Sequence, residues 1–168
     1  MAASLPQPKP CIDNNCRRQH EPAERMAMAA ALCKKRGAQF TKLRRRILEL
    51  LWENGRPMGA YELIDALTPD DSRRVGPPTV YRGLEFLTSQ GLVAKIESRN
   101  AYVPLTHPER CHDCLFFICI NCGASAELED QRLETLISEG AAQIGFQTQR
   151  RVVEVEGTCS NCAFGSTI

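Results

Sequence analysis

PPTVYRGLEFLTSQG, running from Pro77 to Gly91, decides the fold of this chain. Two prolines open it, where a helix loses nothing by a missing N–H. Val80, Leu84 and Leu87 then form one apolar stripe at helical spacing, and Gly91 ends the helix. Immediately after it, LVAKIES and AYVPL flank Arg99-Asn100, a pattern of two strands joined by a tight turn. Upstream, Ala60–Leu67 reads as a short helix with Leu63, Ile64 and Leu67 on one face and Pro69 beyond its end. Before that, Thr41 is placed to N-cap a helix whose stripe is Leu43, Ile47, Leu50 and Leu51, stopped by Gly55. Ala23–Arg36 is rich in good helix formers, and Gly37 stands at its C-cap. Several short helices followed by a two-stranded ribbon is the order of a winged helix-turn-helix, whose last helix enters the major groove with the ribbon beside it. Trp52, on the second helix, is expected in the core rather than at a contact surface.

The downstream half reads differently. Leu115–Cys119 (LFFIC) is a strand, with Ala124–Leu128 as its candidate partner. Asp130 is placed to N-cap a helix running to about Ile144, with Leu133, Leu136, Ile137, Ala141 and Ile144 on one side and Gly145 ending it. Phe146–Glu156 is strand-like, with Val152, Val153 and Val155. A unit this small has a thin core and needs a staple, either a metal or a partner subunit. The expected organisation is therefore α+β: a tail at 1–23, a winged-helix domain at 24–98, a hinge and loop at 99–112, and a small α/β unit at 113–168.

Composition narrows the function classes. Among 168 residues, 43% are hydrophobic and 24% charged, the balance of a folded globular chain. No stretch approaches the ~18 apolar residues of a membrane span. The N-terminus has no apolar core of a secretory signal, so the expected compartment is the cytosol. The net charge of +1 hides an asymmetry. Between Arg25 and Arg56 nine basic residues face two acids, whereas from Ser98 onward nine acids face five arginines. That split points to an anionic partner for the front half alone.

Nine cysteines in a cytosolic chain are metal ligands or reactive thiols before they are disulfides, and an odd number disfavours full pairing. The strongest signal is Cys119-Ile-Asn-Cys122 with Cys159-Ser-Asn-Cys162. Each pair presents two thiolates from a tight turn, and two such knuckles supply the four sulfurs of a structural Zn²⁺. A redox dithiol is the alternative, but neither motif has a thioredoxin-like βαβ context. A second cluster comprises His107, Cys111, His112 and Cys114, with Glu127 downstream. Imidazole, thiolate and carboxylate together favour Zn²⁺, and five candidates compete for four positions. Cys11, Cys16 and His20 form a weaker group in the tail, and Cys33 reads as packing. No substrate cleft or nucleophile constellation is legible, so an enzyme is not expected.

PPTVYRGLEFLTSQGLVAKIES followed by FICxxCG and a C-terminal CxxC resembles the ferric uptake regulator family, most closely its zinc uptake regulator branch. The resemblance spans roughly residues 25–163. It implies a dimeric repressor that binds DNA when loaded with zinc, with a C-terminal dimerisation domain and two Zn²⁺ per chain, one structural and one regulatory. Cys119, Cys122, Cys159 and Cys162 match the structural site. His112 and Glu127 match regulatory ligands, while two other ligand positions hold Ala94 and Leu105, which cannot coordinate. The regulatory shell must then be completed by His107, Cys111 or Cys114. Tyr61 and Arg82 match DNA-contacting positions, and Tyr81 matches the recognition-helix tyrosine. On that reading Arg82 is the candidate for bidentate guanine recognition, and Thr79 or Tyr81 for thymine methyls. Lys42, Arg44, Arg45 and Arg46 are the candidate phosphate contacts on a palindromic duplex operator. A branch sensing iron, manganese or peroxide ranks second, because only three histidines occur and the loop is rich in cysteine.

Overall fold

The computed structural model describes residues 21–68, 75–106, 108, 115–128, 130–149 and 151–164. The tail group of Cys11, Cys16 and His20, and the loop residues His107, Cys111, His112 and Cys114, lie outside the described residues.

The first unit runs α1 (Pro22–Lys35), α2 (Lys42–Asn54), β1 (Met58–Gly59), α3 (Ala60–Leu67), α4 (Pro77–Ser89), β2 (Val93–Ile96) and β3 (Ala101–Pro104). Local chemistry sets these boundaries. The Thr41 hydroxyl accepts the Arg44 N–H, and Gly55 closes α2 in the left-handed region at φ 67°. Glu62 reaches back to accept the Gly59 N–H at 2.6 Å, fixing the start of α3. The core combines Ile47, Leu48 and Leu51 of α2, Leu63 of α3, and Val80, Leu84 and Leu87 of α4, all essentially fully buried. α4 lies so close to α2 that a Cβ on Gly83 would come 2.6 Å from Ile47 Cδ1. Trp52 is only half-buried: it packs on the rim of the core with the Arg25 guanidinium 4.5 Å above its ring.

β1 was not legible in the sequence. It is two residues long, too short for any alternation, and pairs antiparallel with β3 to give the sheet order β1-β3-β2. β3 lies inside the 99–112 stretch expected to be a hinge, so the first sheet extends through Pro104.

The second unit contains β4 (Leu115–Cys119), β5 (Ser125–Leu128), α5 (Gln131–Gln143), β6 (Val153–Gly157) and α6 (Ser160–Ala163). β4 is central, antiparallel to β5 and parallel to β6. The expected strand at Phe146–Glu156 starts only at Val153, because β4 offers partners for just five residues, Leu115 to Cys119. Alternation then sorts the faces. Phe116 and Ile118 stand beside Glu154 and Glu156 on one face, with Leu115, Phe117, Val153 and Val155 on the other. That second face receives Leu133 and Ile137 of α5 around a small gap. No residue of α5 is buried within the chain, and Leu136 and Ile144 are largely exposed.

Candidate metal centre and DNA-reading surface

β4 delivers Cys119 to the end of the central strand, and a turn follows. Gly123 adopts φ 72°, and its N–H donates to the Cys119 carbonyl at 3.0 Å. The tight CxxC turn depends on that left-handed glycine. Parallel to it, β6 ends at Gly157, whose carbonyl accepts the Ile120 N–H at 2.9 Å, and the chain enters α6 with Cys159 as its N-cap. Sheet register thus brings together two knuckles separated by nearly 40 residues of sequence. The four sulfurs of Cys119, Cys122, Cys159 and Cys162 lie within 4.8 Å of one another, and Cys122 Sγ is 3.7 Å from Cys159 Sγ. Four sulfurs at ~2.3 Å from a tetrahedral Zn²⁺ stand about 3.8 Å apart, so the cluster has the size and donor set of a closed structural zinc site.

The electrostatics of the four sulfurs suit a cation at their centre. The Cys119 thiol is lowered to about 6 by the N–H of Cys159, at 3.3 Å from Sγ, and by the Cys122 and Asn121 amides. The Cys162 thiol is raised to about 12 by hydrogen bonds within the sulfur cluster, from Cys159 and then Cys122. The Cys119 sulfur is stabilised as an anion by backbone donors, while Cys162 resists ionising beside it. A divalent cation removes that conflict.

Of the second cluster, Glu127 is described. It sits on β5 opposite Phe116, and its Oε2 accepts the Thr106 N–H at 3.3 Å. Leu115, directly after the cysteine-rich loop, pairs with Leu128. Thr106 and Leu115, which flank residues 107–114 in the chain, are therefore both anchored beside Glu127. The positions of Ala94 and Leu105 are apolar joint instead: with Ile96, Val103, Phe116 and Ile118 they form one cluster between the ribbon and β4.

On the first unit, Thr79, Tyr81 and Arg82 are exposed on the N-terminal half of α4, and Tyr61 is 70% exposed at the start of α3. The α2 arginines are more committed than their sequence suggests. The Arg44 guanidinium lies 3.5 Å from the Phe86 ring centroid and donates to the Gln39 carbonyl. Arg45 stands over Phe40, and Arg46 pairs with Glu53 at 3.1 Å and Glu49 at 3.5 Å.

Sequence reasoning missed the contacts between the units. Glu154 on β6 accepts the Glu97 and Ser98 amides at 2.6 and 3.0 Å, and Arg99 faces Glu156 at 3.7 Å. The alternation Val153-Glu154-Val155-Glu156 was the available signal, but it reads as an ordinary solvent-facing strand.

Comparison with known proteins agrees with this geometry. The sequence profile of the ferric uptake regulator family matches residues 35–156. The zinc uptake regulation protein of Escherichia coli (strain K12) is 37% identical over 141 residues, covering 83% of this chain and 81% of that protein. The structure of a zinc uptake regulator complexed with zinc and DNA is similar at TM-score 0.83 and 33% identity, covering 89% of this chain and all of that one. The holo form of XcZur gives TM-score 0.78 at 38% identity, over 86% of this chain and all of that one. The apo form of XcZur, at 37% identity, covers 84% of this chain and 97% of that one but gives TM-score 0.50. At near-equal identity, the chain is thus more similar in structure to the holo form than to the apo form. With a family profile over most of its length and a relative at this identity, the chain belongs to the ferric uptake regulator family.

Proposed function

We propose that the chain is a zinc-responsive, DNA-binding transcriptional repressor of zinc uptake genes. It binds a palindromic operator as a homodimer when its regulatory zinc site is filled. The observation that carries this reading is the pairing of an exposed α4 face, holding Thr79, Tyr81 and Arg82, with a compact four-cysteine centre in the adjoining unit.

Cys119, Cys122, Cys159 and Cys162 hold the structural Zn²⁺, which neutralises the crowded sulfurs and clamps the end of the chain to β4. The regulatory Zn²⁺ is held by Glu127 with a set drawn from His107, Cys111, His112 and Cys114. Support comes from the anchoring of Thr106 and Leu115, which flank residues 107–114 in the chain, beside Glu127. The dimer is supported by the apolar surface left open on the second unit, where Leu136, Ile144, Phe146, Val152 and Val155 are exposed. On DNA, Arg82 reads guanine, Thr79 and Tyr81 meet thymine methyls, and Tyr61, Arg45 and Arg46 approach the backbone. Arg44 contributes charge there while bracing α2 against α4. Two heads then fit major grooves about 34 Å apart. These are the parts of a cytoplasmic regulator, not of an enzyme.

Titrating zinc, ferrous iron and manganese separately against operator binding tests this reading. Zinc alone is expected to promote tight binding at the lowest free concentration. A response led by iron or manganese would assign the chain to another branch of the family.

A further inference from the structure

The ribbon turn of the first unit is held by the second unit. Its tip, Glu97–Asn100, is engaged by β6 of the second unit. Each oxygen of one carboxylate takes one of two successive backbone amides, with Oε1 to Glu97 at 2.6 Å and Oε2 to Ser98 at 3.0 Å. Charged acceptors on backbone N–H groups are among the stronger protein hydrogen bonds. Two of them on one carboxylate fix direction as well as distance. Around this contact, Ile96 and Val103 of the ribbon pack with Leu105 just beyond it, against Phe116 and Ile118 of β4. Phe116 stands in register with Glu154, and Ile118 with Glu156, so the apolar and acidic contacts share one face of the sheet. Elsewhere the units part around a cleft of about 780 Å³ lined by Arg36, Lys95, Thr148 and Arg151. The joint is therefore narrow, with Glu154 and Glu156 of β6 on its rim.

We propose that Glu154 is a positioning residue for operator binding: it fastens the ribbon turn to the C-terminal sheet and thereby sets the angle at which the reading heads of a dimer meet DNA. The proposal rests on the repressor reading above and adds a part that holds no metal. Ala94, Leu105 and Glu154 form a joint of packing and hydrogen bonds, so metal on the 107–114 loop stabilises an angle that this joint defines. Glu156 with Arg99 serves as a weaker second fastening on the same rim.

The test uses zinc-loaded full-length protein, wild type, Glu154→Ala, Glu154→Gln and Arg99→Ala. Each is measured on a full operator and on a duplex carrying one half-site. Zinc content, oligomeric state and amide exchange of residues 93–104 are recorded alongside. Glu154→Ala is expected to lose roughly tenfold or more on the full operator, within the ordinary range of coupling between sites. Half-site binding, which uses one head, stays at the wild-type value. Exchange at Glu97 and Ser98 speeds up, while zinc content and dimer are retained. Glu154→Gln keeps one oxygen acceptor and falls between, and Arg99→Ala shows a smaller loss in the same direction. Full operator affinity in Glu154→Ala overturns the proposal. So does an equal loss on the half-site, or loss of the four-cysteine zinc, because either makes the role merely structural. Wild-type protein that in zinc fails to prefer operator over half-site overturns the repressor reading itself, whatever the exchange data show.

Discussion

Arg82 lies on the exposed face of α4, and Val80, Gly83 and Leu84 beside it are buried. The helix is held from behind, so the Arg82 side chain is left at the surface. Arg82→Ala is accordingly expected to weaken operator binding by about 1–3 kcal/mol, with specificity relaxed at one base pair. The melting temperature should barely move. Competition binding against operators mutated one position at a time, with a thermal melt, checks both halves; a large fall in melting temperature would make Arg82 structural. The neighbouring arginines show why charge alone does not assign contacts. Arg44 stacks on Phe86, whereas Arg46 pairs with two glutamates on the exposed face of its own helix, so the members of one basic run are engaged differently in the fold. Helical periodicity does place Glu49 and Glu53 beside Arg46, at i+3 and i+7 of the same helix, but it cannot place Phe86 or Gln39 beside Arg44, because those partners lie outside α2.

At the scale of elements, α5 is the exposed case. It buries no residue within its own chain, so its ends matter more than its packing. Asp130 caps it, accepting the Arg132 N–H at 2.9 Å and the Arg132 guanidinium at 2.6 Å, and this holds the carboxyl down at about 2 from an ordinary value of 3.8. A depressed folded value means that the cap contributes fully above pH 3.8 and is lost as pH falls through about 2. Wild-type helix stability is expected to decline across that window. Asp130→Asn keeps an acceptor at the cap without the titration, and should flatten the decline. Circular dichroism across the acid range compares the two; identical curves would refute the role of the carboxylate. Elements were the most legible level in the sequence. α2, α4 and the β2–β3 ribbon follow from caps, stripes and a turn, all local signals. β1 and the true start of β6 were not legible, because their extent is set by partner strands far away in the chain.

For the whole molecule, the four-cysteine centre and the inter-unit joint share one sheet. β4 carries Cys119 at its end and Phe116 and Ile118 in the joint, while β6 carries Glu154 and leads into Cys159. On the function proposed above, loss of the structural cation is therefore expected to reach both the dimer surface and the head angle. Cys159→Ser is expected to release zinc, unfold the second unit and abolish dimers, since structural zinc supplies ~10–16 kcal/mol of apparent folding energy in small domains. Native mass spectrometry with light scattering reads this out, and an intact dimer that retains its zinc would contradict the assignment. The cysteine pairs were legible from spacing alone, but the joint was not. A Glu-Val alternation looks the same whether its acidic face meets water or the backbone of another unit.

On the proposed function, filling a labile site of imidazole, thiolate and carboxylate groups governs DNA binding, while the four-cysteine ion only maintains the fold. Operator affinity is to be measured before and after mild chelation that strips the labile zinc and leaves the inner ion, with metal content per chain confirming each state. The stripped protein is expected to bind about 5–150-fold more weakly and to recover on adding zinc. Equal affinity in the two states would contradict it.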